Sequence, residues 1–313
     1  MGKELGIKIG RHIRDGLTRP FAVTSSGRIF DWAILDRRGV PEPARKAVLR
    51  TLESGSAGEI CTAVPLIEDF LENCPELLSL PDHRATPAGI LDGPLAPPVC
   101  PGNFVCIGLN YADHASESKL KLPERPLVFA KTPNAVTGHN HTIRIPKGCE
   151  QPDYEAELAV VIGRRCEHVR AIDAMDCVLG YSCVNDVSAR DFQFSDGQWY
   201  RGKSCDGFGP LGPWVVTKRE APDYRALKIR CRLNGQLMQE STTQDLIFGV
   251  PELIEFISSF ITLEPGDVIA TGTPPGVGLA RKPPVYLKDG DRVEVEIERI
   301  GVLRNTFHGG QNE

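Results

Sequence analysis

Two glutamates one residue apart, Glu155 and Glu157, stand in an apolar run with the alternation of a β-strand. Because successive strand side chains point to opposite faces, both carboxylates share a face with Ala159 and Val161, while Leu158 lies on the other face. Two carboxylates on a half-buried surface repel each other and lose hydration, at a cost of roughly several kcal/mol unless a cation lies between them. The pattern therefore predicts a site for a hard divalent cation.

A third acidic residue, Asp186, follows a second apolar run over residues 180–185, at what the pattern predicts to be a strand end. With Glu155 and Glu157 it would form an all-oxygen ligand set that leaves positions for water or substrate. Such a set suits Mg²⁺ or Mn²⁺ better than zinc. The alternative interpretation is a pair of exposed strand glutamates and a turn aspartate. Apolar residues on both faces of the first run favour the metal site.

Three hydrogen-bond donors and a histidine–glutamate pair add candidate catalytic residues. Near a metal, Arg190, Gln193 and Lys203 could hold a substrate carboxylate and stabilise an oxyanion; surface salt bridges are the alternative. His114 and Glu117 are three residues apart, so a helical turn would place both on one side. There the carboxylate would orient the imidazole as a general base acting on water, and an ordinary surface pair is the alternative.

Two glycine-rich segments have different interpretations. In the segment 271–278, glycines allow backbone N–H groups to approach a ligand, and threonine hydroxyls such as that of Thr273 can bond anionic oxygens. The segment 207–212 matches G-x-G-x-x-G. However, no strand is predicted before it, and Pro210 and Pro213 would obstruct the helix that a dinucleotide site needs. A nucleotide site is therefore excluded.

The composition predicts a globular protein that acts on small molecules. The 313 residues carry a net charge of −5 without a long basic run, so we expect no nucleic-acid partner and no membrane attachment. No run approaches the roughly 20 apolar residues of a membrane-spanning helix, and the first residues lack a secretory signal. A cytoplasmic location is expected, with a mitochondrial one as the alternative. Ten scattered cysteines without a Cys-x2-Cys pair argue against structural zinc and a disulfide framework.

The first part of the chain predicts a small N-terminal α/β domain. Two β-like and two helix-like runs occur there, at residues 7–9, 21–32, 42–52 and 66–72. A proline-rich passage at 91–102 predicts an extended connector, because proline is unsuited to helix interiors and central strands. We therefore expect one unit over residues 1–95 and a catalytic domain over 96–313.

The second part predicts a β-rich domain. Short apolar runs are separated by Gly, Pro and Asp turns, at residues 104–107, 127–130, 158–162, 214–216, 229–233, 268–270 and 292–298. The clearest helix spans 251–260, with proline in its first turn. Irregularly spaced strands with few helices favour a β-rich α+β fold, a mixed sandwich or roll, over a doubly wound sheet.

Taken together, six segments resemble the fumarylacetoacetate hydrolase family in order and approximate spacing. They are 108–117, 129–133, 153–157, 185–190, 202–204 and 271–278. The resemblance extends over about residues 98–308. It implies a β-roll catalytic domain that forms a homodimer, Mg²⁺ or Mn²⁺ held by the acidic triad, and a lid that carries His114 and Glu117.

The resemblance also implies roles for the remaining polar residues. Lys203 and Gln193 would contact the oxyanion and the substrate, with Arg190 close by. Thr273 would touch the substrate carboxylate, and Tyr111 belongs to the same substrate-binding set.

The reaction expected from these residues is hydrolysis of a carbon–carbon bond in a 2,4-dioxo acid of the acylpyruvate or fumarylpyruvate type. His114, oriented by Glu117, would take a proton from water, and hydroxide would attack the distal carbonyl. Lys203 and Gln193 would hold the oxyanion, and pyruvate enolate would leave on the metal. Alternatives are a tautomerase, isomerase or decarboxylase of a 2-oxo acid such as oxaloacetate or a hydroxymuconate. A non-catalytic metal- or ligand-binding protein is less favoured.

Overall fold

The computed structural model of the chain describes residues 7–14, 17–24, 29–31, 42, 46, 57–73, 93–112, 123–195, 197–221 and 223–309. These residues form three layers, in which a long helix covers a large mixed sheet and a smaller sheet packs on the sheet's other side. The prediction of a β-rich α+β fold is confirmed.

The strands are short and mostly antiparallel. In chain order they are β1 (Ile7–Arg14), β2 (Leu17–Thr24), β3 (Ile29–Asp31), β4 (Leu95–Ala96), β5 (Phe104–Gly108), β6 (Leu127–Lys131), β7 (Val136–Thr137), β8 (Thr142–Arg144), β9 (Pro152–Asp153), β10 (Ala156–Ile162), β11 (Val178–Asn185), β12 (Ser188–Ala189), β13 (Gly209–Thr217), β14 (Lys228–Leu233), β15 (Gln236–Thr242), β16 (Val268–Ala270), β17 (Arg292–Ile297) and β18 (Gly301–His308). The α-helices described are α1 (Ala57–Asn73), α2 (Ala171–Ala174), α3 (Arg190–Ser195), α4 (Tyr200–Lys203) and α5 (Val250–Ser258). Four 3₁₀ turns cover Pro133–Ala135, Met175–Cys177, Thr243–Asp245 and Gly278–Ala280.

The large sheet has eleven strands in the order β3-β2-β1-β13-β11-β10-β16-β5-β6, with β4 paired to β1 and β7 to β13. The smaller sheet has the order β15-β14-β17-β18-β8, and β9 and β12 form a separate pair. The parallel pairings are β5 with β16, β7 with β13 and β8 with β18. The mixture of parallel and antiparallel pairs agrees with the predicted sandwich or roll.

Strand β10 is buried on both faces, as its sequence predicts. Leu158 and Val160 join the core cluster between the two sheets, which also contains Val295. Ala159 faces the other way and joins the cluster under α1, which contains Val64. The predicted alternation is therefore confirmed, and the glutamates at the start of this strand have no solvated face on which to lie.

Helix α1 is longer than predicted. The pattern places a helix at 66–72, whereas the structure begins it at Ala57 and includes Pro65. Proline in a helix interior removes one backbone hydrogen bond. Pro65 is exposed, and Ile60, Val64 and Ile67 on the opposite side are fully buried against the large sheet. Burial of these three apolar side chains offsets the loss of the backbone hydrogen bond at Pro65. Packing against the sheet therefore determines where α1 begins.

The N-terminal strands are continuous with the large sheet. In β1, Lys8 pairs with Val216 of β13, and Leu95 and Ala96 in the proline-rich passage form β4 beside β1. The predicted helix at 42–52 lies outside the described residues, except for Glu42 and Lys46, which are helical. The division of the chain at residue 95 stays a prediction. Among the helices described, none is long and apolar enough to cross a membrane.

A buried histidine links β4 to β18 and makes stability depend on pH. The His139 carbonyl accepts the N–H of Leu95, and its Nδ1 accepts the N–H of Arg304 at 3.1 Å. Burial, with nearby Arg304 and Arg292, lowers the pKa of His139 from 6.5 to about 4. The neutral form is favoured in the folded state, so its stabilisation is complete above about pH 6.5 and is lost as the pH falls towards 4.

We expect the free energy of unfolding to fall by about 2–3 kcal/mol through His139 between about pH 7 and about pH 4.5. His139→Asn keeps an acceptor but cannot titrate, so urea denaturation at the two pH values should show a smaller fall for this variant. The control is His168→Asn, at an exposed position with φ 51° that asparagine tolerates. Equal pH dependence in wild type and His139→Asn would contradict the prediction.

Candidate active site

Antiparallel pairing of β10 with β11 brings the predicted acidic residues together. Ala156 pairs with Asn185, so the next residues outward, Glu155 and Asp186, lie opposite each other. The Asp186 N–H donates to the Glu155 carbonyl at 2.8 Å, and the Glu155 N–H donates to Asn185 Oδ1 at 2.9 Å. Glu157 lies two residues along the same strand face. Glu155 itself precedes β10 rather than lying within it.

The three carboxylates form one buried cluster. An oxygen atom of each of Glu155, Glu157 and Asp186 lies within 4.8 Å of the others. The residues are 6%, 1% and 0% exposed. Carboxylates this close and this far from water need compensating positive charge or hydrogen-bond donors.

Three buried cations supply much of that compensation. Lys203 Nζ lies 2.6 Å from Glu155 Oε2 and 2.6 Å from Asp186 Oδ2. Arg190 donates to Glu155 Oε1 at 2.7 Å, and Lys131 Nζ lies 2.7 Å from Asp186 Oδ1. Two of the three carboxylates are thus held in charge-assisted pairs on both oxygens.

Glu157 is less well compensated. Within the described residues, its hydrogen bond comes from the backbone N–H of Gly272, at 2.8 Å from Oε2. Burial, reinforced by Asp186 and Glu155, raises the pKa of Glu157 well above its usual value. A buried carboxylate with one neutral donor and two acidic neighbours is suited to a further cation. The donor set therefore fits a hard divalent ion such as Mg²⁺ or Mn²⁺.

Close packing of two short helices positions Lys203. A Cβ atom on Gly202 would come within 2.6 Å of the Ala189 carbonyl oxygen and of the Gln193 backbone nitrogen, so only glycine lets α4 lie this close to α3. Lys203 Nζ also lies 4.8 Å from the centroid of the Phe129 ring. Burial opposes its charge, but Asp186 and Glu155 raise the pKa of Lys203 to about 12, so it stays an ammonium at neutral pH.

Arg190 orients two neighbours. Its Nε donates to Asp153 Oδ2 at 2.9 Å, and its Nη1 donates to Gln193 Oε1 at 3.1 Å. The Gln193 oxygen is thereby turned towards the guanidinium, which leaves the amide N–H groups as donors for a ligand. Asp153 also accepts the backbone N–H groups of Gly278 and Leu279, at 2.7 and 3.0 Å. Arg190 and Asp153 thus tie α3 to the glycine-rich segment.

The glycine-rich segment 271–278 contacts protein carboxylates. The N–H groups of Gly272 and Gly278 donate to Glu157 and Asp153, so these two groups are used within the protein. That other N–H groups of the segment approach a ligand stays a prediction. The glycines keep a structural role, because Gly272 has φ 102°, which favours glycine. The Thr273 hydroxyl accepts Gln239 Nε2 at 2.8 Å.

These side chains surround a cavity of about 330 Å³. Its polar wall carries Glu155, Glu157, Arg190, Gln193, Lys203 and Thr273. Its apolar wall includes Phe129 and Trp199, whose rings pack edge to face with centroids 5.2 Å apart. The cavity therefore suits a small molecule with anionic groups at one end.

Among the other predicted site residues, only Tyr111 is described by the structure. Tyr111 is fully buried away from the cavity wall, and its hydroxyl has no hydrogen-bond partner among the described residues. His114 and Glu117 lie outside the residues that the structure describes. The roles of all three stay predictions, as do the homodimer and the cellular location.

Sequence reasoning gave no role to several residues that the structure places at or beside the site. Asp153 and Lys131 pair with site residues, and Phe129 and Trp199 line the cavity. Asp153 has a sequence signal, since it continues the acidic spacing of Glu155 by two residues. The other three lie in segments whose spatial neighbours only the fold reveals.

Comparison with known proteins identifies a common family. The model described as fumarylacetoacetate (FAA) hydrolase C-terminal matches residues 103–308. The chain is 45% identical over 268 residues to oxaloacetate tautomerase FAHD2B, mitochondrial, of Bos taurus, covering 81% of this chain and 85% of that protein.

Solved structures agree with this family and confirm the predicted fold type. The 5-carboxymethyl-2-hydroxymuconate delta-isomerase from Mycobacterium smegmatis is 42% identical with a TM-score of 0.62, covering 68% of this chain and 79% of that one. A fumarylacetoacetate hydrolase from psychrophilic Exiguobacterium antarcticum is 34% identical with a TM-score of 0.76, covering 97% and 100%.

Removing the Arg190 guanidinium should strongly destabilise the protein. Arg190→Met leaves Asp153 and Glu155 buried without this partner, and we expect a loss of about 3–5 kcal/mol in the free energy of unfolding. Urea denaturation of chelator-treated protein measures it. The control is Arg170→Met, which breaks the exposed 2.8 Å pair with Asp173 and should change stability little. Equal losses in both variants would contradict this account of Arg190.

Proposed function

The chain belongs to the fumarylacetoacetate hydrolase family, and we propose that it moves a proton within a 2-oxo acid, as a keto–enol tautomerase of the oxaloacetate type or a related isomerase. The observation that carries this proposal is the Lys203 ammonium held beside Glu155 and Asp186 in a small-molecule cavity. Positive charge fixed in a buried site stabilises an oxygen that becomes negative as an enolate forms. The tautomerase and isomerase names of the relatives favour proton transfer over bond hydrolysis.

The acidic triad would hold the metal. Glu155, Glu157 and Asp186 would bind Mg²⁺ or Mn²⁺, which when bound supplies Lewis acidity to the oxygens of a 2-oxo acid. Poor compensation of Glu157 by the protein alone supports this assignment.

Lys203 is proposed to donate to the oxyanion. Despite its burial, the charges of Asp186 and Glu155 raise the pKa of Lys203 to about 12, and an ammonium suits the role of hydrogen-bond donor to an oxyanion rather than that of a base. The amide N–H groups of Gln193, oriented by Arg190, would bind the substrate carboxylate. Thr273 lies in the same cavity wall and is proposed as a further contact.

The proton itself needs a separate carrier. Tautomerisation takes a proton from the carbon beside the 2-oxo group and places one on the enol oxygen, with no net consumption of water. His114, oriented by Glu117, is proposed for this transfer on the basis of the family resemblance. The same pair could instead activate water, so hydrolysis is the second candidate, supported by the name of the Exiguobacterium protein.

An assay of purified protein with Mg²⁺ separates the two reactions. We expect the enol absorbance of freshly dissolved enol-oxaloacetate to be lost faster with the protein than in the same Mg²⁺ solution without it. No pyruvate or carbon dioxide should be released. Acylpyruvates should yield little pyruvate under the same conditions. Rapid pyruvate release from acylpyruvates would favour the hydrolase, and carbon dioxide from oxaloacetate would indicate a decarboxylase.

In the same assay, Lys203→Met should lower kcat by about 10²-fold or more, the usual effect of removing one oxyanion donor. The control is Lys218→Met. Lys218 is also partly buried, but its Nζ donates to the Met175 carbonyl at 2.9 Å, and it does not line the cavity. Similar activity in both variants would contradict the role given to Lys203.

Metal binding is tested apart from turnover. Isothermal titration of chelator-treated protein with Mn²⁺ should show one site, and Glu157→Gln should weaken binding by about 100-fold because a charged ligand is lost. Glu150→Gln, at an exposed position nearby in the chain, should bind as the wild type does. Unchanged affinity in Glu157→Gln would argue against this metal centre.

A further inference from the structure

Lys131, the last residue of β6, is a fully buried cation that the proposed reaction does not use. Its Nζ lies 2.7 Å from Asp186 Oδ1 and donates to the carbonyl oxygens of Val187 at 2.9 Å and Lys203 at 2.6 Å. Two of the three N–H donors of the ammonium are thus used by backbone carbonyls, and its charge lies in ion-pair contact with Asp186. Lys131 does not line the cavity.

These contacts fix two parts of the site at once. Lys131 holds Oδ1 of Asp186, so Oδ2 is the oxygen directed at Lys203 Nζ. It also holds the carbonyl of Lys203, the last residue of α4, where a cation complements the helix end. Movement of Lys131 would therefore change the direction of the Asp186 carboxylate and the position of the Lys203 backbone together.

Lys131 also sets the charge of the buried cluster. The cluster contains four carboxylates and three cations: Asp153, Glu155, Glu157 and Asp186 with Lys131, Arg190 and Lys203. With all of them ionised, the net charge is −1, and it would be −2 without Lys131. A positive charge 2.7 Å from Asp186 reduces the attraction of this cluster for any further cation.

We propose that Lys131 is a positioning residue with two opposed effects. It holds Asp186 and Lys203 in the arrangement needed for turnover, and by its charge it weakens the binding of a divalent cation to the acidic triad. Lys131 thus lowers the affinity for the metal while it fixes the positions of Asp186 and Lys203. The inference rests on the metal site of the proposed function.

The test is Lys131→Met, a replacement of similar length without charge. Titration of chelator-treated protein with Mn²⁺ should give a dissociation constant lower than that of the wild type by about tenfold or more, because one like charge is removed. In the tautomerase assay at saturating Mn²⁺, kcat should fall by about 10- to 100-fold, because Asp186 and Lys203 lose their fixed positions. A purely structural defect would weaken binding and lower turnover together, so the opposite directions identify the role.

Two further variants keep the result interpretable. Lys218→Met removes a lysine that also donates to a backbone carbonyl, and neither quantity should change. Lys131→Gln keeps N–H donors for the carbonyls of Val187 and Lys203 but removes the charge. It replaces Lys131→Met in the test if circular dichroism shows that Lys131→Met does not fold. It should also bind Mn²⁺ more tightly than the wild type.

The outcomes separate this inference from the proposed function. Unchanged or weaker Mn²⁺ binding in folded Lys131 variants, beside normal binding by the wild type, would overturn the inference and leave the metal centre intact. Tighter binding with unchanged kcat would overturn the positioning effect. Failure of the wild type itself to bind Mn²⁺ would overturn the metal centre and the inference with it.

Discussion

Glu155, Glu157 and Asp186 repel one another in a largely buried site, because the β10–β11 register holds their oxygens within 4.8 Å. In solution such carboxylates would separate and hydrate. Here both faces of β10 are buried, and the antiparallel pairing fixes the distance between the carboxylates. They can therefore neither move apart nor become fully hydrated. The remaining route to stability is positive charge brought from elsewhere in the chain. The elements around the triad can be understood as the sources of that charge.

Each source requires a particular local structure. Helices α3 and α4 bring Arg190 and Lys203, and they approach closely because residue 202 is glycine. Strand β6 brings Lys131 from the edge of the large sheet. The segment after β16 brings an N–H to Glu157 from Gly272. Donors held by separate rigid elements cannot reorganise when substrate charge develops, and such a fixed arrangement is what the proposed enolate would require.

The sequence predicts the triad well because its members are related by local rules. Strand alternation relates Glu155 to Glu157, and the apolar run before Asp186 indicates a strand end that pairing can bring opposite them. Partners joined over long sequence distances are harder to predict. Lys131 of β6 meets Asp186 after β11 and the carbonyl of Lys203 in α4 only through the fold, and no spacing rule connects these residues.

Helix α1 and the glycine-rich segment show the same limit. The apolar pattern of residues 66–72 and the conformational freedom of glycine are local properties, and each leads to a reasonable local prediction. Tertiary contacts then override it. Burial of Val64 and its neighbours extends α1 through the proline, and the N–H of Gly272 is taken by Glu157 before any ligand can use it. Both differences arise from burial, which single-sequence patterns describe poorly.

The buried cluster by itself does not select one reaction among those named for the relatives. Tautomerisation, isomerisation and carbon–carbon cleavage of a 2-oxo acid all place negative charge on the same oxygen, and a site built around Lys203 stabilises that charge in each case. The choice must therefore depend on what the cluster does not provide, namely the group that carries the proton and whether water reaches the distal carbonyl. The cavity wall formed by Phe129 and Trp199 bears on the second point, because the indole N–H of Trp199 is the hydrogen-bond donor that these two side chains carry.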